Sequence, residues 1–358
     1  AISMSKKRRE KYRNTKEDKR PSLIRKVTNK LTTFSDPQIA IFLFLFAMLL
    51  GTIVLIDYTN SPFYDGLVWD AKVYYDWAKT ILAGDTIGKE IYHQSPLYPY
   101  FLALIMKVFG GSYFLIYFIQ IILSAVTASI LFYIGKHYQN KNSGILISLI
   151  FIFYGMFTFY ALKVLTETLS IFLYVLLFYL ILKSQTKQRW AISGVVLGLL
   201  TVCRADAIVL VPFIFFYLLL CFNEYGFRKK MAFFSCLLVA FFLVISIPTI
   251  RNYIVGKDFV VVASGGGENF YIGNNEKATG IFTRIEGVSP DIEYQDEDVL
   301  TVAEQKVGRR IKRSEASKFW FGEGLRFIKN NFSTYLILEL KKLKYIFSGA
   351  EYSSMYYK

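Results

Sequence analysis

Apolar residues in this chain gather into long unbroken runs instead of alternating or recurring on one helical face. We read seven such runs: Gln38–Ile56, Phe114–Gly135, Gly144–Leu162, Thr168–Leu182, Trp190–Val202, Ala205–Phe222 and Met231–Ile250. A helix of about 20 apolar residues crosses a hydrocarbon core of roughly 30 Å. Each run therefore predicts a membrane span, although the fourth and fifth are short. A further apolar stretch, Leu97–Phe109, is too short to span and is expected to lie in the interface. The first run is too long and too far from the start for a cleavable signal peptide and reads as a signal anchor.

The charges between the runs give sidedness. Lys6–Lys30 holds twelve Lys/Arg against Glu10, Glu17 and Asp18, so this tail carries about +9 of the formal net charge of +15. With the tail on the cytoplasmic side, the inside loops are Lys136–Lys141, Lys183–Arg189 and Asn223–Lys230. All three are short and basic, as the positive-inside rule requires. The outside then receives a long first loop, Asp57–Tyr113, two tight turns near Lys163–Glu167 and Arg204–Asp206, and everything after Arg251.

The predicted fold is an all-α integral membrane protein, a polytopic helical bundle of about seven spans. Residues 1–36 form a basic cytoplasmic tail that lies against anionic lipid. Residues 37–254 form the transmembrane domain, with 57–113 as a first extracytoplasmic loop carrying interfacial helices. Residues 255–358 form an extracytoplasmic segment ending in an amphipathic helix over Tyr335–Phe347. Hydrophobic residues are 54% of the chain and its mean hydropathy is +0.37, more apolar surface than a soluble chain of this length needs. The concentration of positive charge in one tail argues against nucleic acid as the partner. Cys203, Cys221 and Cys236 sit in or beside apolar runs, without metal-ligand spacing or a disulfide framework. His93 and His137 fall on opposite sides and cannot share a metal.

Ionisable residues at the outer ends of the runs carry the candidate chemistry, because ions near hydrocarbon face a cavity or each other. Asp70, Tyr74 and Ala78 stand at i, i+4 and i+8 and share one helix face; Asp76 is close by. A carboxylate there is either a general base or a solvated acid at a helix start. Lys163 and Glu167, at i and i+4, form either a local ion pair at a re-entry or the lining of a polar cavity. Arg204 is either neutralised by Asp206 or faces a lipid phosphate, whose oxygens suit a guanidinium fork. Arg251 ends the last run, where snorkelling makes it a cheap interfacial anchor. The Gly- and Asn-rich stretch Ser264–Asn275, which contains Asn269, forms either tight turns or a loop that lets backbone approach a ligand.

Several strings, in order, resemble a known family. They are D-A-K-V-Y-Y-D-W-A-K-T-I-L-A-G-D from Asp70, S-P-L-Y-P-Y-F-L-A-L (Ser95–Leu104, which includes Tyr98), L-T-E-T-L (Leu165–Leu169) and G-L-L-T-V-C-R (Gly198–Arg204). I-R-N-Y-I-V-G-K-D-F-V and G-G-E-N-F-Y-I-G-N-N follow. Together they resemble the C-type (GT-C) membrane glycosyltransferases, near protein O-mannosyltransferases and the lipid A aminoarabinose transferase, and within these the bacterial glycosyltransferase family 39 group.

The resemblance implies transfer of a sugar from a polyprenyl-phosphate-linked donor to an acceptor glycan, lipid or protein. The reaction would run with inversion on the extracytoplasmic face of the plasma (inner) membrane, in building the cell envelope. Asp70 matches the family's catalytic base. Arg204, Arg251 and Lys163 match positions for cations that stabilise the leaving phosphate. Tyr74, Asp76, Glu167, Tyr98 and Asn269 are expected to line the site. No cofactor is required, and a divalent cation is left open because some relatives of the fold use one. Arg204 is followed by Ala205, where Pro is common in the family. Full members continue with further spans, whereas this chain stops at Lys358, so a truncated non-catalytic scaffold that binds the lipid is one alternative. A transporter or flippase for lipid-linked sugars is another.

Overall fold

The computed structural model describes residues 34–183, 185–289 and 292–348. The basic tail lies outside these residues apart from its last three positions. Among the described residues the regular structure is helical throughout.

The first helix, α1 (Asp36–Tyr58), starts where Pro37 ends the extended approach and the Gln38 side chain accepts the Ser35 N–H at 2.9 Å. The segment that follows carries α2 (Asp70–Leu82) and α3 (Leu97–Phe109). Then come α4 (Tyr113–Tyr138), α5 (Lys141–Phe153), α6 (Gly155–Ala161), α7 (Glu167–Leu182) and α8 (Lys187–Cys203). A 3-10 turn over Ala205–Val209 leads into α9 (Leu210–Cys221), and α10 (Phe227–Gly256) ends the apolar region. Beyond it lie α11 (Gly266–Gly273), α12 (Ile292–Val307), α13 (Arg313–Asn330) and α14 (Phe332–Phe347).

Among the described residues three helices, α1, α4 and α10, are long and apolar enough to cross a membrane, and a fourth span is available if α5 and α6, bent by 58°, count as one. The expectation of about seven spans, the fourth and fifth short, meets a length limit here. Helices α7 and α8 have 16 and 17 residues, about 24–26 Å at 1.5 Å per residue, short of a core of roughly 30 Å. The run at Ala205–Phe222 opens as a 3-10 turn, which leaves only 12 α-helical residues in α9. Of these three elements only the last is shorter than its apolar run, since the fourth and fifth runs already read as short. The structure supports a membrane helical protein with three or four such spans.

Lipid is as apolar as leucine, so burial against water does not hold such helices together; close van der Waals approach does. Glycines make that approach possible. A Cβ on Gly198 of α8 would sit 2.6 Å from Val244 Cβ of α10, and one on Gly194 would overlap the Leu237 carbonyl. Gly135 of α4 and Gly144 of α5 face each other in the same way. Buried hydroxyls add bonds between helices: Ser148 donates to the Ala128 carbonyl at 2.8 Å and Ser129 to that of Ala40 at 3.0 Å. At one end of the bundle Lys136 and Lys141 pair with Asp36. The same end holds the fully buried Trp190, whose ring stacks on Phe233.

The C-terminal elements have a core of their own, built from Ile285, Val299, Ala303, Ile311, Ala316 and Trp320. The Trp320 indole donates to the Val299 carbonyl at 3.1 Å. The glycine-rich stretch expected to wrap a ligand or to form turns is instead the helix α11. Its glycine is spent on packing, because a Cβ on Gly267 would overlap the Ser317 carbonyl of α13.

Candidate functional site

The site forms at the end of the bundle opposite Lys136 and Trp190, around residues 93–95. Three consecutive side chains there reach three separate parts of the chain. Gln94 Nε2 donates to Asp70 Oδ1 at 3.0 Å. Ser95 Oγ accepts the Ala205 N–H at 3.2 Å, in the turn that carries Arg204. The two ring nitrogens of His93 lie 2.9 Å from Glu268 Oε1 and Asp296 Oδ1. Asp70 and Arg204, 134 positions apart, are thus gathered at one mouth.

Asp70 opens α2 directly after Trp69, whose backbone is left-handed at φ 52°. A non-glycine residue pays about 1–3 kcal/mol for such a conformation, so the surrounding structure enforces the helix start here. On the same face Tyr74 is buried, as the i, i+4 spacing predicts, and Ala78 is fully covered. Burial first, then the nearby charges of Asp70 and Glu167, push the Tyr74 phenol well above its ordinary pKa. It stays protonated and able to donate. Asp76 points elsewhere and pairs with exposed Lys79 at 2.9 Å.

Glu167 starts α7, and its Oε1 is 3.6 Å from Arg204 Nη1. Asp206 Oδ1 is 3.5 Å from Arg204 Nε. Both separations exceed the 2.7–2.9 Å or so of a short charge-assisted bond, so the guanidinium is flanked by acids without being saturated. Glu167 Oε2 and Gln94 Oε1 are buried acceptors with no protein donor.

Lys163 does not pair with Glu167. Residues 162–166 are unwound, so the i, i+4 geometry assumed for that pair does not exist. Lys163 Nζ instead donates to the Tyr58 hydroxyl at 2.7 Å and lies over the Tyr58 and Phe159 rings. The unwound backbone is satisfied by Gln120, whose Nε2 donates to the Ala161 and Lys163 carbonyls at 3.0 and 2.8 Å. Tyr98 donates to Gln120 Oε1 at 2.9 Å and is wholly buried, so it supports the segment from behind.

Arg251 is engaged by the loop between α2 and α3. Its Nε donates to the Ile87 carbonyl at 2.6 Å and its Nη1 to that of Glu90, and its guanidinium lies 3.8 Å from the centre of the Tyr92 ring. Asn269 is exposed on α11 and bonds through its backbone to Gly265.

Sequence reasoning missed Gln94, Gln120 and His93. The first two had a signal, being lone amides beside or inside apolar stretches. The partners of His93 lie some 175 and 200 positions downstream, and no local pattern marks them. All three cysteines are free, and among the described residues no cluster of His, Cys, Asp or Glu is arranged to hold a metal.

No curated protein and no solved structure matches the chain. A family comparison does find a match, which begins after Asp70 and ends just before Arg251 but takes in Gln94, Glu167 and Arg204. Over residues 93–249 the chain matches the model of the dolichyl-phosphate-mannose-protein mannosyltransferase family, and in that stretch it is similar to membrane glycosyltransferases that use a lipid-linked donor.

Proposed function

We propose that this protein transfers a sugar from a polyprenyl-phosphate-linked donor to an acceptor on the extracytoplasmic face of a bacterial plasma membrane, with inversion. The observation that carries the reading is the convergence of Asp70, Glu167 and Arg204 at one mouth of a helical membrane bundle, inside and beside a stretch that matches a mannosyltransferase family. In this reading residues 37–254 are the membrane domain, crossing about seven times with the basic tail inside, and the short helices α7–α9 sit where the bilayer thins or the site dips into it. Residues 255–358 lie outside.

Asp70 is the base. Gln94 holds one carboxylate oxygen, and the other takes the proton from an acceptor hydroxyl or amine. The acceptor's oxygen or nitrogen then bonds the anomeric carbon from the face opposite the phosphate. The bond from that carbon to the phosphate oxygen breaks, and its electron pair leaves with the phosphate. Arg204 meets the growing charge, worth about 10²–10³ in rate for a donor of this kind. Glu167 orients Arg204 at the start of α7. Lys163, with no carboxylate in ion-pair reach among the described residues, is the second cation for the phosphate. Arg251 acts one step back, by fixing the loop that carries Glu90 to Gln94. Tyr74 and Asp76 belong to the helix that presents the base. Tyr98 backs the site, and Asn269 lies at its outer rim.

The test uses the full chain in nanodiscs with a panel of polyprenyl-phosphate hexoses and pentoses, measuring release of polyprenyl phosphate. Asp70→Asn is expected to abolish release while insertion and thermal stability stay intact. Release by Asp70→Asn at the wild-type rate removes Asp70 from the chemistry. Sugar-lipid flux across liposomes without release of polyprenyl phosphate would favour a flippase.

A further inference from the structure

The first external loop and the C-terminal segment are joined by a charged cluster that the proposed chemistry does not use. Both ring nitrogens of His93 face carboxylates at 2.9 Å, Glu268 from α11 and Asp296 from α12. A neutral imidazole has one N–H and one lone pair, and an ionised carboxylate only accepts, so a neutral ring would set a lone pair against an anion. The geometry therefore requires a second proton on the ring, making it a cation with two acceptors. Arg313 of α13 donates to Asp296 and lies 3.2 Å from Glu90 in the loop itself, which completes the charged groups around the ring. Burial disfavours the charged ring, but the hydrogen bonds it donates to Asp296 and Glu268 prevail and raise its pKa to about 10.

The backbone is tied at the same place. The Ser264 and Gly265 N–H groups donate to the Tyr92 and His93 carbonyls at 2.9 and 3.1 Å. Asn252 Oδ1 accepts the Tyr92 N–H, and Asn252 Nδ2 donates to Val260 and Val262. Gly265 lies so close that a Cβ there would sit 3.2 Å from His93 Cε1. One residue further on, Gln94 holds Asp70.

We infer that His93 is a positioning residue: clasped between Glu268 and Asp296, it fastens the C-terminal segment to the loop and so sets Gln94 and the Asp70 carboxylate in place. The segment after α10 is then part of the working site. This inference rests on the transfer reading only for its effect on rate; the mechanical link from residue 265 to residue 70 stands apart from it.

The experiment compares the full chain in nanodiscs with His93→Gln, Gly265→Ala and a control, Lys277→Ala. The control breaks only the exposed Lys277–Glu286 pair on the same segment. Two quantities are read: amide hydrogen exchange at residues 264–265 and 70–75, and release of polyprenyl phosphate from the donor. Both site variants are expected to speed exchange about tenfold or more at 264–265 and also at 70–75. They are expected to lower kcat about tenfold while donor KM changes less than about threefold. The control should match wild type in both. Faster exchange at 264–265 with none at 70–75 overturns the inference, as does a His93→Gln variant with wild-type kcat. If wild type itself releases no polyprenyl phosphate, the transfer reading fails, and coupled exchange at both places still upholds the link.

Discussion

Gln94→Glu is the sharpest perturbation of the site, because it keeps the shape of the side chain and replaces its amide donor with an acid. In the native site Gln94 Nε2 donates to Asp70 Oδ1 across 3.0 Å. Two carboxylates at that distance repel by roughly 5.5 kcal/mol at an effective dielectric of about 20. Both native side chains are partly exposed, so water and a rotation of the substituted side chain relieve about half of this. The remaining ~2.7 kcal/mol corresponds to about two pH units over which the pair keeps a shared proton. Gln94 Oε1 already lacks a donor, so the new charge finds no compensating partner on that side either. The assay is polyprenyl phosphate release in nanodiscs between pH 5 and 9. The acid limb of kcat/KM should move up by about two pH units relative to wild type. Gln94→Leu should lower the rate by a similar factor at every pH, because it removes the hold on Asp70 without adding charge. A Gln94→Glu profile that superimposes on wild type would refute the reasoning, and so would a shift of equal size in Gln94→Leu.

Arg204→Ala should cost about 10²–10³ in kcat, and Arg204→Lys should recover only part of it, because the point charge cannot fork between phosphate oxygens; unchanged kinetics in Arg204→Ala would leave it structural. The His93 clasp should depend on pH in a defined direction. The raised pKa of His93 means its contribution is full below the unfolded value of about 6.5 and is lost as pH rises toward about 10. For Asp296, burial opposes ionisation, yet His93 and Arg313 lower its pKa, so its contribution is full above about 3.9 and fades as pH falls below that. Exchange protection at residues 264–265 should therefore be greatest between about pH 4 and 6.5, and a maximum at pH 9 would contradict the assignment. Gly194→Ala should destabilise the bundle by about 1–3 kcal/mol, read as a drop in thermal midpoint, because the new methyl meets the Leu237 carbonyl. Gly155→Ala, with open space around it, should leave the midpoint almost unchanged and so serves as the control.

Much of the architecture is legible from residue order alone. The apolar runs had to become helices, because hydrocarbon leaves backbone groups no other partners. The bounds expected for Leu97–Phe109 coincide with those of α3, and the Asp70–Tyr74–Ala78 face lies where 3.6-residue periodicity puts it. These are local properties, set within a few turns of chain. The ion-pair reading of Lys163 and Glu167 failed where a local rule met long-range packing. Lys163 and Glu167 have ion-pair spacing, but Gln120 and Tyr98 hold the segment between them unwound, so the lysine turns to Tyr58 and the glutamate to Arg204. The run at Ala205–Phe222 overstated its α-helix, because the turn Ala205–Val209 is apolar without being α-helical.

Residue order is enough to make the chain a helical membrane protein and to say which end of each run carries charge, because hydropathy and charge act residue by residue. Packing in three dimensions was needed to bring Gln94 to Asp70, Arg251 to its loop carbonyls, and a histidine between Glu268 and Asp296. Each of those bonds closes a loop of tens to hundreds of residues. Its partners are chosen by how the helices approach one another, and that approach is set by glycine contacts and buried amides distributed over the whole chain.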